Sequence, residues 1–218
     1  MLPFYLLGLG LGSGTPVVQT VDTTTTGSLV AAVNIALTSI GDAPIVALDE
    51  DSDRARAALA VAETLLDELL REHDWNFAST RAVLVRLATA PAFGPPYQYA
   101  LPTAPLCLMV RETSLDATVP YQIEQAATGQ RVLTTTAETV SIRYTARVTD
   151  SSLWDPLFRM GYANRLAAEL AYPISSKAEF AETLWRKTET RLRRAKAVDG
   201  LEGRAQKRFL SDALTRGR

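Results

Sequence analysis

The sequence predicts an α+β protein, mainly a helical bundle with an inserted antiparallel β-domain and extended terminal arms. Apolar residues recur at helical spacing in residues 28–80 and again in 154–200, whereas residues 81–153 alternate with the period of two that half-buried strands require and are punctuated by prolines. The ends differ from both patterns: residues 1–27 read as an apolar arm and linker, and 201–218 as a basic docking arm. With 218 residues, 47% of them apolar, the chain can bury the core of one domain carrying an insertion.

The run Met1 to Leu11 is long enough for the apolar core of a signal peptide. No Lys or Arg precedes it, however, and no small-x-small cleavage site follows. It is also too short and too rich in glycine to span a bilayer, which takes ~20 apolar residues. It reads as a retained arm that buries Phe4, Tyr5, Leu6 and Leu7 against another chain, because an exposed apolar run of this length invites association. Gly12 to Thr26 follows as an extended linker.

A first helix is expected from Gly27-Ser28, with Ser28 as N-cap, through Leu29, Val33, Ala36, Leu37 and Ile40, ending at Gly41 before the turn Asp42-Ala43-Pro44. A second runs from Ser52 or Asp53 to Glu72, with Ala55, Leu59, Ala62, Leu65, Leu66, Leu69 and Leu70 on its apolar face. Acids before its start suit the helix dipole. His73, the one histidine, falls near that apolar face at the helix end and reads as a partly buried structural residue.

Strands are expected at 81–87, 98–100, 106–112, 121–124, 131–134 and 140–147, with Thr128-Gly129-Gln130 as a hairpin turn. Pro91, Pro95, Pro96, Pro102 and Pro105 confine the intervening stretches to loops and edges. Cys107, the single cysteine, lies in an apolar run and reads as a buried thiol; one cysteine excludes an intrachain disulfide framework. Helix resumes at Trp154-Asp155-Pro156, with Asp155 as cap and Pro156 in the first helical position. A small-residue face (Leu157, Met160, Gly161, Asn164, Ala167, Ala168, Ala171) follows, and Pro173 closes the helix. The next begins at Ser175 or Ser176, carries Phe180, Leu184, Thr188, Leu192 and Ala195 on one side and basic residues on the other, and ends near Gly200. Residues 201–218 read as a separate segment able to become helical on a partner.

Charge is segregated. Residues 1–80 hold eleven acids against three arginines, a balance of −8, and residues 156–218 hold fourteen Lys and Arg against seven acids, a balance of +7. Such asymmetry points to an electrostatic partner for the C-terminal part, either an acidic protein surface or nucleic acid. No nucleophile motif, metal-ligand spacing or ordered cation loop is present, so neither an enzyme nor a cofactor is expected.

Six short marks occur in order across residues 28–200: Trp75-Asn76-Phe77, Tyr99-x-Leu101-Pro102, Tyr121-Gln122-Ile123, Ser141-Ile142-Arg143-Tyr144, Trp154-Asp155-Pro156-Leu157-Phe158 and Leu166-Ala167-Ala168-Glu169-Leu170-Ala171. Together they resemble the phage head-to-tail adaptor family that includes tail tubular protein A. The stretch Thr103-Ala104-Pro105-Leu106-Cys107 departs from that family, which usually has an acidic residue before the Cys, as does the apolar N-terminal extension. The resemblance implies a structural protein of the virion, made in the host cytoplasm and placed at the head–tail junction. It further implies a homo-oligomeric ring, a dodecamer, between the portal and a downstream tail tube or nozzle protein. Genomic double-stranded DNA would pass through its lumen without sequence-specific binding, and no membrane would be involved.

On that reading Arg191, Arg193, Arg194, Lys196, Arg204, Lys207, Arg208, Phe209 and Leu210 dock on the portal. The acids Asp49, Glu50, Asp51, Asp53, Glu63, Asp67 and Glu68 either face the channel, where they would not hold phosphate, or cap the second helix and meet basic residues of a neighbouring subunit. The alternative function is a nucleic-acid-binding protein that grips phosphates with the basic C-terminal helix, although such proteins are usually basic overall and this chain has a net charge of −1.

Overall fold

The computed structural model describes residues 23–175 and 178–215, with side chains described for 29–174 and 180–202. The fold is α+β. In chain order it comprises helices α1 (Thr23–Ser39) and α2 (Asp53–Glu72), a short 3-10 turn (Asn76–Ala78) and strands β1 (Ser79–Val83), β2 (Val85–Arg86), β3 (Tyr97–Ala100) and β4 (Cys107–Thr113). These are followed by β5 (Tyr121–Gln125), β6 (Arg131–Thr135), β7 (Ser141–Ala146), a second 3-10 turn (Ser151–Leu153), α3 (Pro156–Ser175) and α4 (Ala178–Thr215).

The helices share one core centred on α3, which packs against α1, α2 and α4. Phe158, Tyr162, Leu166, Ala167 and Leu170 of α3 meet Val33 and Leu37 of α1, Leu66 and Leu69 of α2, and Leu184 and Leu192 of α4 in that core. The small-residue face lets α4 approach closely. A Cβ placed at Gly161 would lie 2.5 Å from the Leu192 Cδ2. The strands form two antiparallel sheets, ordered β1-β7-β4 and β2-β3-β6-β5, with a second core between them of Leu84, Tyr99, Leu101, Cys107, Leu133, Val140, Ile142, Tyr144 and Ala146.

Local chemistry explains the element ends. After α1, the Gly41 and Asp42 N–H groups bond to the Thr38 and Leu37 carbonyls while Gly41 adopts φ +81°, the paired closure that favours glycine after a helix. Ser52 caps α2 by accepting from the Ala55 N–H. Asp155 accepts from the Leu157 and Phe158 N–H groups at the start of α3. Gly129, at φ +83°, turns the β5–β6 hairpin.

Several expectations are corrected. α1 begins at Thr23, so Ser28 lies inside a helix and Thr23–Thr26 are not linker; a threonine costs only a few tenths of a kcal/mol in a helix that is already nucleated. Leu59, expected on the buried face of α2, is exposed, and Ala58 takes its place. The single strand expected at 81–87 is two strands in different sheets: Leu84 turns into the core between them, donating its N–H to Val140. Pro173 does not close α3, which continues to Ser175. α4 does not end near Gly200; it runs unbroken to Thr215, so the segment from 201 is a continuation of that helix rather than a separate arm. The two helical glycines, Gly200 and Gly203, cost about 1 kcal/mol each, which the surrounding Leu, Glu, Arg, Ala, Gln and Lys, all good helix formers, offset.

Candidate functional site

Three of the six marks, those containing Trp75, Arg143 and Trp154, meet where α2 ends. Helix C-termini leave carbonyls without partners, and here they are met from elsewhere in the chain. The Trp75 indole N–H donates to the Leu69 carbonyl at 2.8 Å, and the Arg111 guanidinium, from β4, donates to the carbonyls of Leu70, Arg71 and His73 at 3.3, 3.0 and 2.7 Å. A cation at this end also suits the helix dipole. Trp75 and Phe77 stack with Phe158 at 4.8 and 4.9 Å, and Phe158 meets Trp154 at 5.3 Å. The Trp-Asn-Phe and Trp-Asp-Pro-Leu-Phe marks therefore form one aromatic cluster although about eighty residues separate them.

Arginines then fix the three-stranded sheet to this corner. Arg143 of β7 reaches both carboxylate oxygens of Asp74 (2.9 and 2.8 Å) and Glu112 (2.9 Å), and Arg71 donates to the Leu108 carbonyl. Hydrogen bonds donated to Glu112 and Asp74 outweigh burial and hold the Arg143 guanidinium above its ordinary pKa. Tyr121-Gln122-Ile123 is different from the other marks: it lies exposed on β5.

The polar contact at 199 was not foreseen from the sequence. Asp199 is buried on α4, sits 3.0 Å from the His73 Nε2, accepts from the Asn76 backbone N–H at 2.9 Å, and through its own carbonyl accepts from the Asn76 side-chain amide at 2.8 Å. Beside it, Lys196 donates to Glu72 at 2.8 Å. The available signal was spacing, since Asp199 continues the buried stripe Leu184, Thr188, Leu192, Ala195 by four residues.

The opposite face of α4 is basic and exposed. Arg186, Lys187, Arg191, Arg193 and Arg194 point away from the stripe, and Arg191, Arg193 and Arg194 have no ion pair among the described residues. Thr183, Arg186, Lys187, Thr190 and Arg191 line a shallow depression along it. Of the residues expected to dock, Lys196 is thus engaged within the chain. Arg204, Lys207, Arg208, Phe209 and Leu210 lie on α4, with side chains outside those described; Phe4, Tyr5, Leu6 and Leu7 lie outside the described residues. At about 1.5 Å per residue, α4 spans roughly 57 Å and α3 roughly 30 Å, so α4 is too long for α3 to cover.

The seven acids do not form one surface. Glu50 accepts from the Val46 N–H and from the Ser52 hydroxyl, both at 2.8 Å, and these bonds hold its carboxyl below the ordinary value. Asp51 and Asp53 flank Arg56, and Asp49 is exposed. Glu63 and Asp67 both bind Arg147, at 3.1 and 2.7 Å, and Glu68 lies 3.8 Å from Arg165. Burial lifts the Asp67 carboxyl above its ordinary range despite the attraction of Arg147. Burial lowers the Arg147 guanidinium, but its two acids together outweigh this and hold it above its own. The partners of Asp51, Asp53, Glu63, Asp67 and Glu68 are arginines of the same chain.

Among the described residues no group of three or more His, Cys, Asp and Glu could hold a metal ion, and no helix is long and apolar enough to cross a membrane. The Cys107 thiol is buried, and burial raises its pKa, which disfavours the reactive thiolate. A cavity of about 680 Å³ lies between the loop 88–95 and the outer face of the four-stranded sheet, lined largely by Gln, Thr, Ala and Pro. Comparison of the chain with protein-family models finds no match, and comparison with curated proteins finds none either.

Proposed function

We propose that this chain is a structural head-to-tail adaptor of a tailed phage. It forms a ring, a dodecamer on the resemblance, below the portal, joins the capsid to the downstream tail protein and surrounds the channel through which the genome leaves. In this reading the four helices are the bundle, the strands are its insertion, and residues 1–22 and the last part of α4 are the arms that reach other chains. No catalytic or cofactor role is assigned.

The observation that carries the reading is the exposed basic face of α4, set on a helix whose other face is pinned to the body by Asp199 and Lys196. A long helix held rigid at its base and left uncommitted along one side is suited to lie in a groove on a protein partner. The interlocking of the Trp75 and Trp154 marks gives the resemblance a physical content, because those residues hold the corner that orients α4.

The test is to mix the protein with purified portal and image the complex. A ring of this protein on the portal's tail-facing end is expected, and its loss on deletion of 201–218 from a chain that still folds. A second reading, nucleic-acid binding, draws on the same unpaired Arg191, Arg193 and Arg194, which also suit phosphates. It would be favoured by a monomer that retards duplex DNA in physiological salt and ignores the portal.

A further inference from the structure

The exposed edges of the two sheets are treated differently. β4, an edge of the three-stranded sheet, carries two register shifts against β7 and the charged pair Arg111 and Glu112; β1, the other edge, has Arg81 at its centre. Such irregularities and charges are how proteins keep edges from pairing with other chains. β5, an edge of the four-stranded sheet, has no such irregularity and a single charge. Its register with β6 is unbroken over five residues, and it contains no Lys, Arg or Pro. Its one charged residue, Glu124, accepts a hydrogen bond from Thr134. All five residues are exposed, including Tyr121 at 42% and Ile123 at 39%.

The chain also holds a segment with the matching chemistry. Residues 1–21 contain no Asp, Glu, Lys or Arg, although 47 such residues occur in the whole chain. Burying this segment therefore desolvates no charged side chain. Pro16 is followed by Val17-Val18-Gln19-Thr20-Val21, four of five β-branched, the composition that fits a pleated edge. The 22 residues ahead of α1 can span up to roughly 70 Å when extended. α1 itself packs on α3 and the 151–153 turn, in the helical core rather than on the four-stranded sheet.

We propose that residues 17–21 of a neighbouring copy add to β5 as a fifth strand of that sheet. The contact joins two different surfaces, the donor segment of one copy and the strand edge of the next, and a head-to-tail contact of this kind generates a ring when its rotation closes. It rests on the reading of the chain as a ring former and names the surface on which its N-terminal segment docks.

The experiment uses full-length single-cysteine additions: Val17→Cys or Val18→Cys, which cover the two faces of an added strand, and separately Ile123→Cys. Equimolar mixtures of a donor and an acceptor variant are oxidised, both free at high concentration and within assembled particles, with Met109→Cys on β4 as the control acceptor. The expected result is a disulfide-linked species of twice the chain mass in the Ile123 mixtures and its absence with Met109. No such species in either setting overturns the proposal, as does a bond that forms only within one chain when both cysteines share it. Particles that contain the protein as a ring yet give no cross-link defeat this proposal alone. Cross-links in the free protein that never joins particles defeat the adaptor reading and leave the strand addition standing.

Discussion

A carboxylate on a helix reads by default as a solvent-facing group, and Asp199 shows what that default misses. Its side chain receives the Asn76 N–H and faces His73, residues 123 and 126 positions earlier in the chain. Replacing it with alanine removes the charged acceptor that the half-buried Asn76 N–H and the His73 imidazole share, for which about 1.5–3 kcal/mol of lost stability is expected in urea unfolding. Asp199→Asn, which keeps one acceptor oxygen, should recover part of that loss. Glu50 gives a pH signature of known sign. The folded protein holds its carboxyl more acidic than the unfolded chain does, chiefly through the Val46 N–H and then Ser52. Its contribution is therefore complete above the ordinary value of 4.5 and is lost as pH falls through the lower folded value. Hydrogen exchange at the Val46 amide should accelerate in that acid range, and Glu50→Gln should remove the acid-dependent step.

At the scale of elements, the sequence was legible wherever a local rule decided the outcome. Ser52 and Asp155 cap their helices, Gly129 turns its hairpin, and the stripe Leu184, Thr188, Leu192, Ala195 faces inward, all as spacing and cap chemistry require. Illegible features were those that depend on distant partners. The alternation through Val83, Leu84 and Val85 is compatible with one strand, and only the Leu84–Val140 hydrogen bond divides it between two sheets. The acids of α2 gave no sign that Arg147 and Arg165 would come to them. As a result, reversing Asp67 and Glu68 is a test of folding before it is a test of any channel. Helix packing yields a sharper prediction. Gly161→Val inserts a branched side chain against Leu192, already 3.1 Å at its Cγ from a first added carbon, and should cost about 1–3 kcal/mol by thermal unfolding.

For the whole molecule, charge is arranged so that the acidic part is largely neutralised within the chain while the basic part is not. Glu63, Asp67, Glu68 and Glu72 meet Arg147, Arg165 and Lys196, and Arg191, Arg193 and Arg194 remain exposed. Changing those three arginines together to glutamate should leave the unfolding temperature within a few degrees, because surface substitutions away from buried features are usually worth about 0.5 kcal/mol or less each. The same variant should lose binding to the portal in a pull-down. Attachment by the unaltered protein should weaken as salt rises from low levels past ~0.15 M, where screening acts over about 8 Å. Salt-independent attachment would show that the charged face is not what docks.

The strands occupy one continuous stretch, 79–146, with a core of their own, whereas the helical core is assembled from α1 and α2 on one side of that stretch and α3 and α4 on the other. During synthesis the sheets are complete before the hub helix of the other core has left the ribosome. Domains generally fold as units while the chain is made. A nascent chain stalled with residues up to 150 exposed should therefore already protect β3, β6 and β7 from protease, while α1 and α2 stay cleavable until α3 emerges. Newly made α1 and α2 would then present their apolar faces to solvent for the time taken to synthesise about a hundred residues, which at 5–20 residues per second is about 5–20 s. In that interval Leu66, Leu69 and Val33 are the surfaces a chaperone would meet, and destabilising α3 should raise chaperone dependence in the cell more than an equal destabilisation of the sheets.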